Sequence, residues 1–345
     1  MPGTVTFAGW KFTWSIPRLS GEGLVIAKAD FQGRRVLYRA GQPFVLVPYH
    51  GNFPTFKDGL GSKCGGVPYS ALIPTAPNVT VFDLPPGSTA SNDNQYDKTT
   101  NPGGAVMVEQ LPATLTDPAT GAVWAKFQVG NYQYIHRWEF KADGAIEAIV
   151  GLGGRLWTTN PPTMGHIHNF YFRLDFDIAG SANNLVRRFA HAGNNPGNDI
   201  ETDITVESKE IAEATTFTKW RVLNRAPKAN GQLRSYELIP ASDGGPDGTY
   251  STGDLWVVRY KPSGEDGANV GCNDQLLGTA YANGESVNGE DVVVWYCLRH
   301  HHQPRPLGEE DNVLPYEFHR FSIEPRDFLD HTPKNLYTTS PPSPS

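Results

Sequence analysis

The feature that most constrains the fold of this chain is its rhythm. Short runs of β-branched and aromatic residues recur along the sequence, and turn chemistry cuts each one before it reaches helical length. Val292-Val293-Val294-Trp295-Tyr296, Phe170-Tyr171-Phe172-Arg173-Leu174 and Phe44-Val45-Leu46-Val47 are the strongest, with further runs at 23–27, 35–38, 138–140 and 145–149. Between them stand Asp143-Gly144, Asn194-Asn195-Pro196-Gly197 and Asp243-Gly244-Gly245-Pro246, all turn-forming. Only 204–216 carries a weak helix-like mixture. The 36 glycines and 28 prolines among 345 residues suit a loop-rich β chain and argue against a helical bundle. The expectation is all-β, a sandwich of large sheets. No internal repeat or long hydrophilic linker divides the chain, so 1–337 reads as a single domain and the Ser/Pro-rich 338–345 as a disordered tail. The segment 85–104 is polar enough for a mobile loop.

The net charge is −7, from 29 basic and 36 acidic residues without blocks of either sign. That distribution offers no footprint for nucleic acid or anionic lipid. No apolar run approaches the ~20 residues of a membrane-spanning helix. Met1-Pro2-Gly3-Thr4 opens without a basic-then-apolar leader, so a cytoplasmic location is the default expectation. Cys64, Cys272 and Cys297 are far apart and odd in number, matching neither a zinc pattern nor an extracellular disulfide frame.

Histidine is more informative. Five of the ten lie in two tight groups, His166 with His168 and His300 with His301 and His302. In a strand, residues i and i+2 share a face, so His166-Ile167-His168 places two imidazoles side by side with Ile167 turned away. The run 300–302 follows the apolar strand 292–296 and supplies a third. Three imidazoles plus water suit Cu(II) or Zn(II).

Three segments occur in one order: Val129-Gly130-Asn131-Tyr132-Gln133-Tyr134, then His166-x-His168, then His302-x-Pro304-Arg305. Together they resemble the copper amine oxidase family. Trp10-Lys11-Phe12, Glu22-Gly23-Leu24-Val25 and Val47-Pro48-Tyr49 resemble the opening of that family's catalytic domain. Asp254-Leu255-Trp256-Val257-Val258-Arg259-Tyr260 and Pro325-Arg326-Asp327-Phe328-Leu329-Asp330 resemble its later strands and end. The similarity runs from about Trp10 to Pro333. It implies a large antiparallel β-sandwich that oxidises a primary amine with O₂ to aldehyde, ammonia and H₂O₂, commonly as a homodimer, with 224–248 as a candidate dimer arm. It further implies Cu(II) on His166, His168 and His302, with His300 as the fallback for the third ligand. Topaquinone would form from Tyr132, with Asn131, Gln133, Tyr134 and Tyr49 around it. A second, calcium-type site for a hard cation is implied at Asp175, Phe176, Asp177, Asp291 and Val292, the carboxylates and the carbonyls of Phe176 and Val292 providing oxygen ligands.

The chain departs from the family in several places. No segment resembles the smaller domains that commonly precede the catalytic one, and the interval from Tyr132 to His166 is shorter than usual. The segment after Val47-Pro48-Tyr49 is also shortened, so that counting back from Gly59-Leu60-Gly61 puts Pro54 where the family has its catalytic aspartate. Asp58 is the one carboxylate between Tyr49 and Asp83 and is the remaining candidate for the base. Finally, Gln133 stands where an acidic residue usually follows the quinone tyrosine, and Gln128 where a smaller hydroxyl residue is frequent. If Tyr132 stays a phenol, the expectation becomes a metal enzyme of the same fold acting without topaquinone, such as one that tailors a specialised metabolite. A non-catalytic metal-binding sandwich is the remaining alternative.

Overall fold

A computed structural model of the chain describes residues 3–17, 22–49, 55–59, 66, 69–71, 106–129, 132–154, 166–191, 199–213, 216–241, 251–262, 282–302 and 314–331. In chain order the strands are β1 (Gly3–Phe7), β2 (Trp10–Ser15), β3 (Val25–Phe31), β4 (Arg34–Pro48), β5 (Thr55–Asp58), β6 (Ser70–Ala71), β7 (Val106–Leu111), β8 (Thr120–Val129), β9 (Tyr132–Lys141) and β10 (Ile146–Gly154). They continue with β11 (His166–Phe176), β12 (Asn184–His191), β13 (Asp199–Ile204), β14 (Ser208–Glu210), β15 (Lys219–Pro227), β16 (Leu233–Ile239), β17 (Leu255–Arg259), β18 (Val292–His302) and β19 (Leu314–Arg326). Every strand pairing among the described residues is antiparallel. Among the described residues one sheet runs β1-β2-β3-β4-β11-β18-β17-β14 with β5 attached to β4, and the other runs β13-β12-β15-β16-β19-β10-β9-β8-β6 with β7 attached to β8.

The core lies between the two inner faces, as alternation along each strand requires. Phe12 stacks on Phe140 at 4.1 Å, Trp138 meets Phe172 edge-on at 5.8 Å, and Phe172 meets Phe321 at 4.9 Å, so each contact joins one sheet to the other. The outer face of β11 and β18 carries its own buried cluster, including Phe44, Tyr171, Trp256 and Trp295. Burial on both faces explains why 292–298 reads as an unbroken apolar run instead of an alternating one. The Asp143-Gly144 signal marks the β9–β10 turn: the Ala145 amide donates to Asp143 Oδ1 at 2.9 Å, and Gly144 adopts φ +96°.

Two sequence expectations need correction. The helix-like stretch at 204–216 holds the end of β13, a bridge between Val206 and Ser286, and the short strand β14. Pairing with neighbouring chain overrides the weak local propensity there. The triple histidine does not follow a strand; it is the last part of β18, because β18 stays in register with β11 as far as His166. The tail, the segment 85–104, and Asn131, Pro54, Cys64 and Cys272 lie outside the described residues. No helix among the described residues is long and apolar enough to cross a membrane.

Candidate metal centre between the sheets

The inward face of β11 reads Phe176, Leu174, Phe172 and Phe170, then His168 and His166. Apolar packing therefore gives way to imidazoles toward one end of the sandwich. The antiparallel register sets His302 opposite His166 and His300 opposite His168. Directly opposed residues share a face, so four imidazoles point into the space between the sheets while His301 is exposed. His166, His168 and His302 are all buried, and each offers one nitrogen within 4.8 Å of the other two. The Nε2 atoms of His166 and His168 are 2.9 Å apart. Two nitrogens bound at right angles, each about 2.0–2.1 Å from one ion, would be separated by about 2.9 Å.

Burial and the neighbouring imidazoles push the His168 pKa well below the usual histidine range, and the same causes push His300 down to about 3. Both rings are neutral at ordinary pH, the state in which imidazole binds a metal. A dry set of neutral imidazoles suits Cu(II) or Zn(II) and not a hard, oxygen-seeking cation.

From the facing sheet, β9 sends in Tyr132 and Tyr134 by the same two-residue alternation. Tyr132 Oη lies 3.2 Å from His166 Nε2 and 3.0 Å from Tyr49 Oη. Tyr134 Oη lies 3.0 Å from His168 Nδ1. Tyr49, directly after β4, stacks its ring on His166 at 4.4 Å. Burial raises the Tyr49 hydroxyl to about 12, opposed by its bond to Tyr132 and reinforced by the charge of Asp58. Tyr134 is held well above the ordinary phenol value by burial and then by Asp58.

Asp58 is thus a neighbour of this centre rather than a turn residue on the surface. It ends β5 opposite Val45, whose side chain belongs to the inner core, and it is buried. Burial raises the phenol of Tyr69, its bond to Gln42 opposes that, and the charge of Asp58 adds to it. Gln133, by contrast, alternates onto the other face of β9, away from Tyr132 and Tyr134, and pairs with Gln128 and Gly153.

Asp175, Asp177 and Asp291 also come together, each offering an oxygen within 4.8 Å of the others. Asp175 lies seven residues along β11 from His168, about 23 Å at strand rise, and on the opposite face. Phe176 and Val292 are directly paired beside them. Burial, then the charge of Asp175, raises Asp177 to about 6, while Arg173 donates to Asp175 at 3.1 Å.

Sequence reasoning missed His319, Glu317 and His136. His319 and Glu317 approach His300 from β19, a meeting that depends on how two sheets face one another. The alternating Glu317-x-His319-x-Phe321-x-Ile323 was the available signal. His136 follows Tyr134 on the inward face of β9, beside Tyr69 and Phe127.

A family model described as the copper amine oxidase enzyme domain matches residues 122–343, more than half of the chain. A peroxisomal copper-containing amine oxidase alpha 2 of Arabidopsis thaliana is 25% identical, with 95% of this chain and 59% of that protein covered. The primary amine oxidase of Klebsiella aerogenes is 26% identical over 96% of this chain and 53% of its own length. The crystal structure of a copper-containing benzylamine oxidase from Hansenula polymorpha superposes with a TM-score of 0.70 at 20% identity, over 95% of this chain and 60% of that one. The chain spans between half and three-fifths of the length of these relatives. It belongs to the copper amine oxidase family, from which it has diverged, and carries the sandwich of that family's enzyme domain.

Proposed function

We propose that this chain is the catalytic sandwich of a copper-dependent oxidase of primary amines, with topaquinone derived from Tyr132 as its organic cofactor. The observation that carries the reading is the convergence of Tyr132 Oη on the three-imidazole cluster from the opposite sheet. His166, His168 and His302 would hold the copper. With copper and quinone present, the chemistry supplied is two-electron oxidation of R–CH₂–NH₂ with O₂ and water to R–CHO, NH₃ and H₂O₂.

The side chains of the chain prepare that chemistry. Tyr134, against His168 Nδ1, fixes the orientation and tautomer of the ring and leaves Nε2 to the metal. Tyr49 holds the oxygen of residue 132 through its hydroxyl and keeps water off His166 with its ring. Asp58, buried among the phenols, takes the α-proton of the amine in place of the family's missing aspartate. Asn131 directly precedes Tyr132 in the sequence, and Gln133 supports β9 from its other face. Asp175, Asp177 and Asp291, with the carbonyls of Phe176 and Val292, would hold Ca²⁺ or a similar hard cation that relieves the repulsion between buried carboxylates. The partners are a small amine, O₂ and a second copy of the chain.

One observation favours a second reading. Counting back from Gly59-Leu60-Gly61 in the sequence puts Pro54 at the family's proton-accepting position, and a metal enzyme that keeps Tyr132 as a phenol needs no base there. The experiment that separates the two is Tyr132→Phe. On the oxidase reading it abolishes amine-dependent H₂O₂ release while copper content stays unchanged; turnover that survives the substitution rejects the quinone.

A further inference from the structure

His300 is on the metal-facing side of β18, yet its nitrogens are turned to partners other than the three-imidazole cluster. Its Nδ1 lies within hydrogen-bond distance of His319 Nε2, and its Nε2 is 3.3 Å from Glu317 Oε2. The two imidazole rings have centroids 4.5 Å apart at 59°. Glu317 and His319 are an i, i+2 pair on β19, so strand alternation presents both to the same side, as it does for His166 and His168. Each of the three residues offers a ligand atom within 4.8 Å of the others. His300 is buried, His319 half-buried and Glu317 exposed. The group therefore sits where the space between the sheets opens to solvent.

We propose that His300, Glu317 and His319 form a second binding site for a divalent first-row transition ion, of the Zn(II) type, beside the three-imidazole centre. Two imidazoles and one carboxylate are a complete protein donor set for such an ion, with water filling the remaining positions. A site with two nitrogen donors discriminates against Ca²⁺, which sets it apart from the carboxylate cluster at Asp175. The two imidazole centres are neighbours: the rings of His168 and His300 are 6.3 Å apart and those of His300 and His302 are 6.1 Å apart. An ion held here joins β18 of one sheet to β19 of the other, and it assigns His300 to its own site, which leaves His302 as the third imidazole of the first.

The test is Zn(II) stoichiometry on metal-free protein in excess Ca²⁺, with bound metal counted after gel filtration. The wild type is expected to retain two equivalents and the double variant Glu317→Gln/His319→Gln one. The variant His166→Ala/His168→Ala is expected to retain the equivalent that the first double variant loses, so failure of the copper reading and failure of this one give different results. Should either double variant fold poorly by circular dichroism, His319→Gln alone is expected to weaken the second equivalent at least tenfold. Equal zinc content in the wild type and the Glu317/His319 variant, or an undiminished second equivalent in His319→Gln, would overturn the site and leave these residues as a hydrogen-bonded chain.

Discussion

Tyr132 on β9 and His166 on β11 meet across the sandwich, Oη to Nε2 at 3.2 Å, although they belong to different sheets. The phenol is thereby held against an imidazole of the candidate metal centre, the relationship on which the proposed oxidation of Tyr132 rests. Both positions follow from strand alternation: β9 turns Tyr132 inward with Tyr134, Trp138 and Phe140, and β11 turns His166 inward with His168 and Phe170.

Removing the hydroxyl of Tyr49 tests how the phenol is held. Tyr49→Phe keeps the ring that stacks on His166 and loses only the 3.0 Å bond to Tyr132. A neutral hydrogen bond contributes about 1 kcal/mol, so amine turnover is expected to fall roughly fivefold with copper content unchanged. Steady-state kinetics alongside metal analysis would check it, and an unaltered rate removes Tyr49 from the positioning of the cofactor.

For Asp58 the expectation is larger. Asp58→Asn retains shape and hydrogen bonding but cannot accept a proton, and reduction of the enzyme by amine is expected to slow by ~10²-fold or more. Stopped-flow measurement of the reductive half-reaction isolates this step. An unchanged rate means that the shortened chain carries no base at this place.

The strands and the first pair of histidines were legible in the sequence because they depend on period-two patterning alone. His166-x-His168 faces one way whatever surrounds it, and the apolar run at 292–296 is a strand in any sandwich. The extent of β18 was less legible, since three consecutive polar histidines look like a strand that has ended. Their pairing with β11 as far as His166 is what keeps them extended. Glu317 and His319 showed in the sequence only as alternation along one strand, for their meeting with His300 comes from the facing of β19 and β18 across two sheets. The position of Asp58 was visible as a lone carboxylate, but its burial depends on β5 pairing with β4.

His136 predicts an acid-sensitive fold. Burial pushes its pKa down to about 3, and neither ring nitrogen has a hydrogen-bond partner among the described residues. The unfolded chain takes up this proton near pH 6.5 while the folded chain does not. Stability is therefore intact above that value and is lost progressively as pH falls from 6.5 toward 3. At pH 5 the loss from this one ring is about 2 kcal/mol. His136→Leu should reduce the difference in unfolding free energy between pH 7 and pH 5 by that order, as measured by denaturant titration at the two pH values.

Trp10 ties the sheets together far from the centre. It is fully buried, packs on Phe31 and Phe140, and donates its indole N–H to the Lys141 carbonyl at 2.8 Å. Trp10→Ala is expected to cost about 3–5 kcal/mol, seen as a lower Tm, with copper affinity preserved in protein that remains folded.

The central claim is that Tyr132 becomes a quinone beside a metal held by His166, His168 and His302. The most direct measurement is the visible absorption spectrum of metal-free protein loaded with Cu(II) under air and then treated with a carbonyl-trapping hydrazine. The account predicts a broad quinone band that the hydrazine replaces with an intense adduct band, both absent from Tyr132→Phe. Bound copper with no quinone band and no adduct would contradict it.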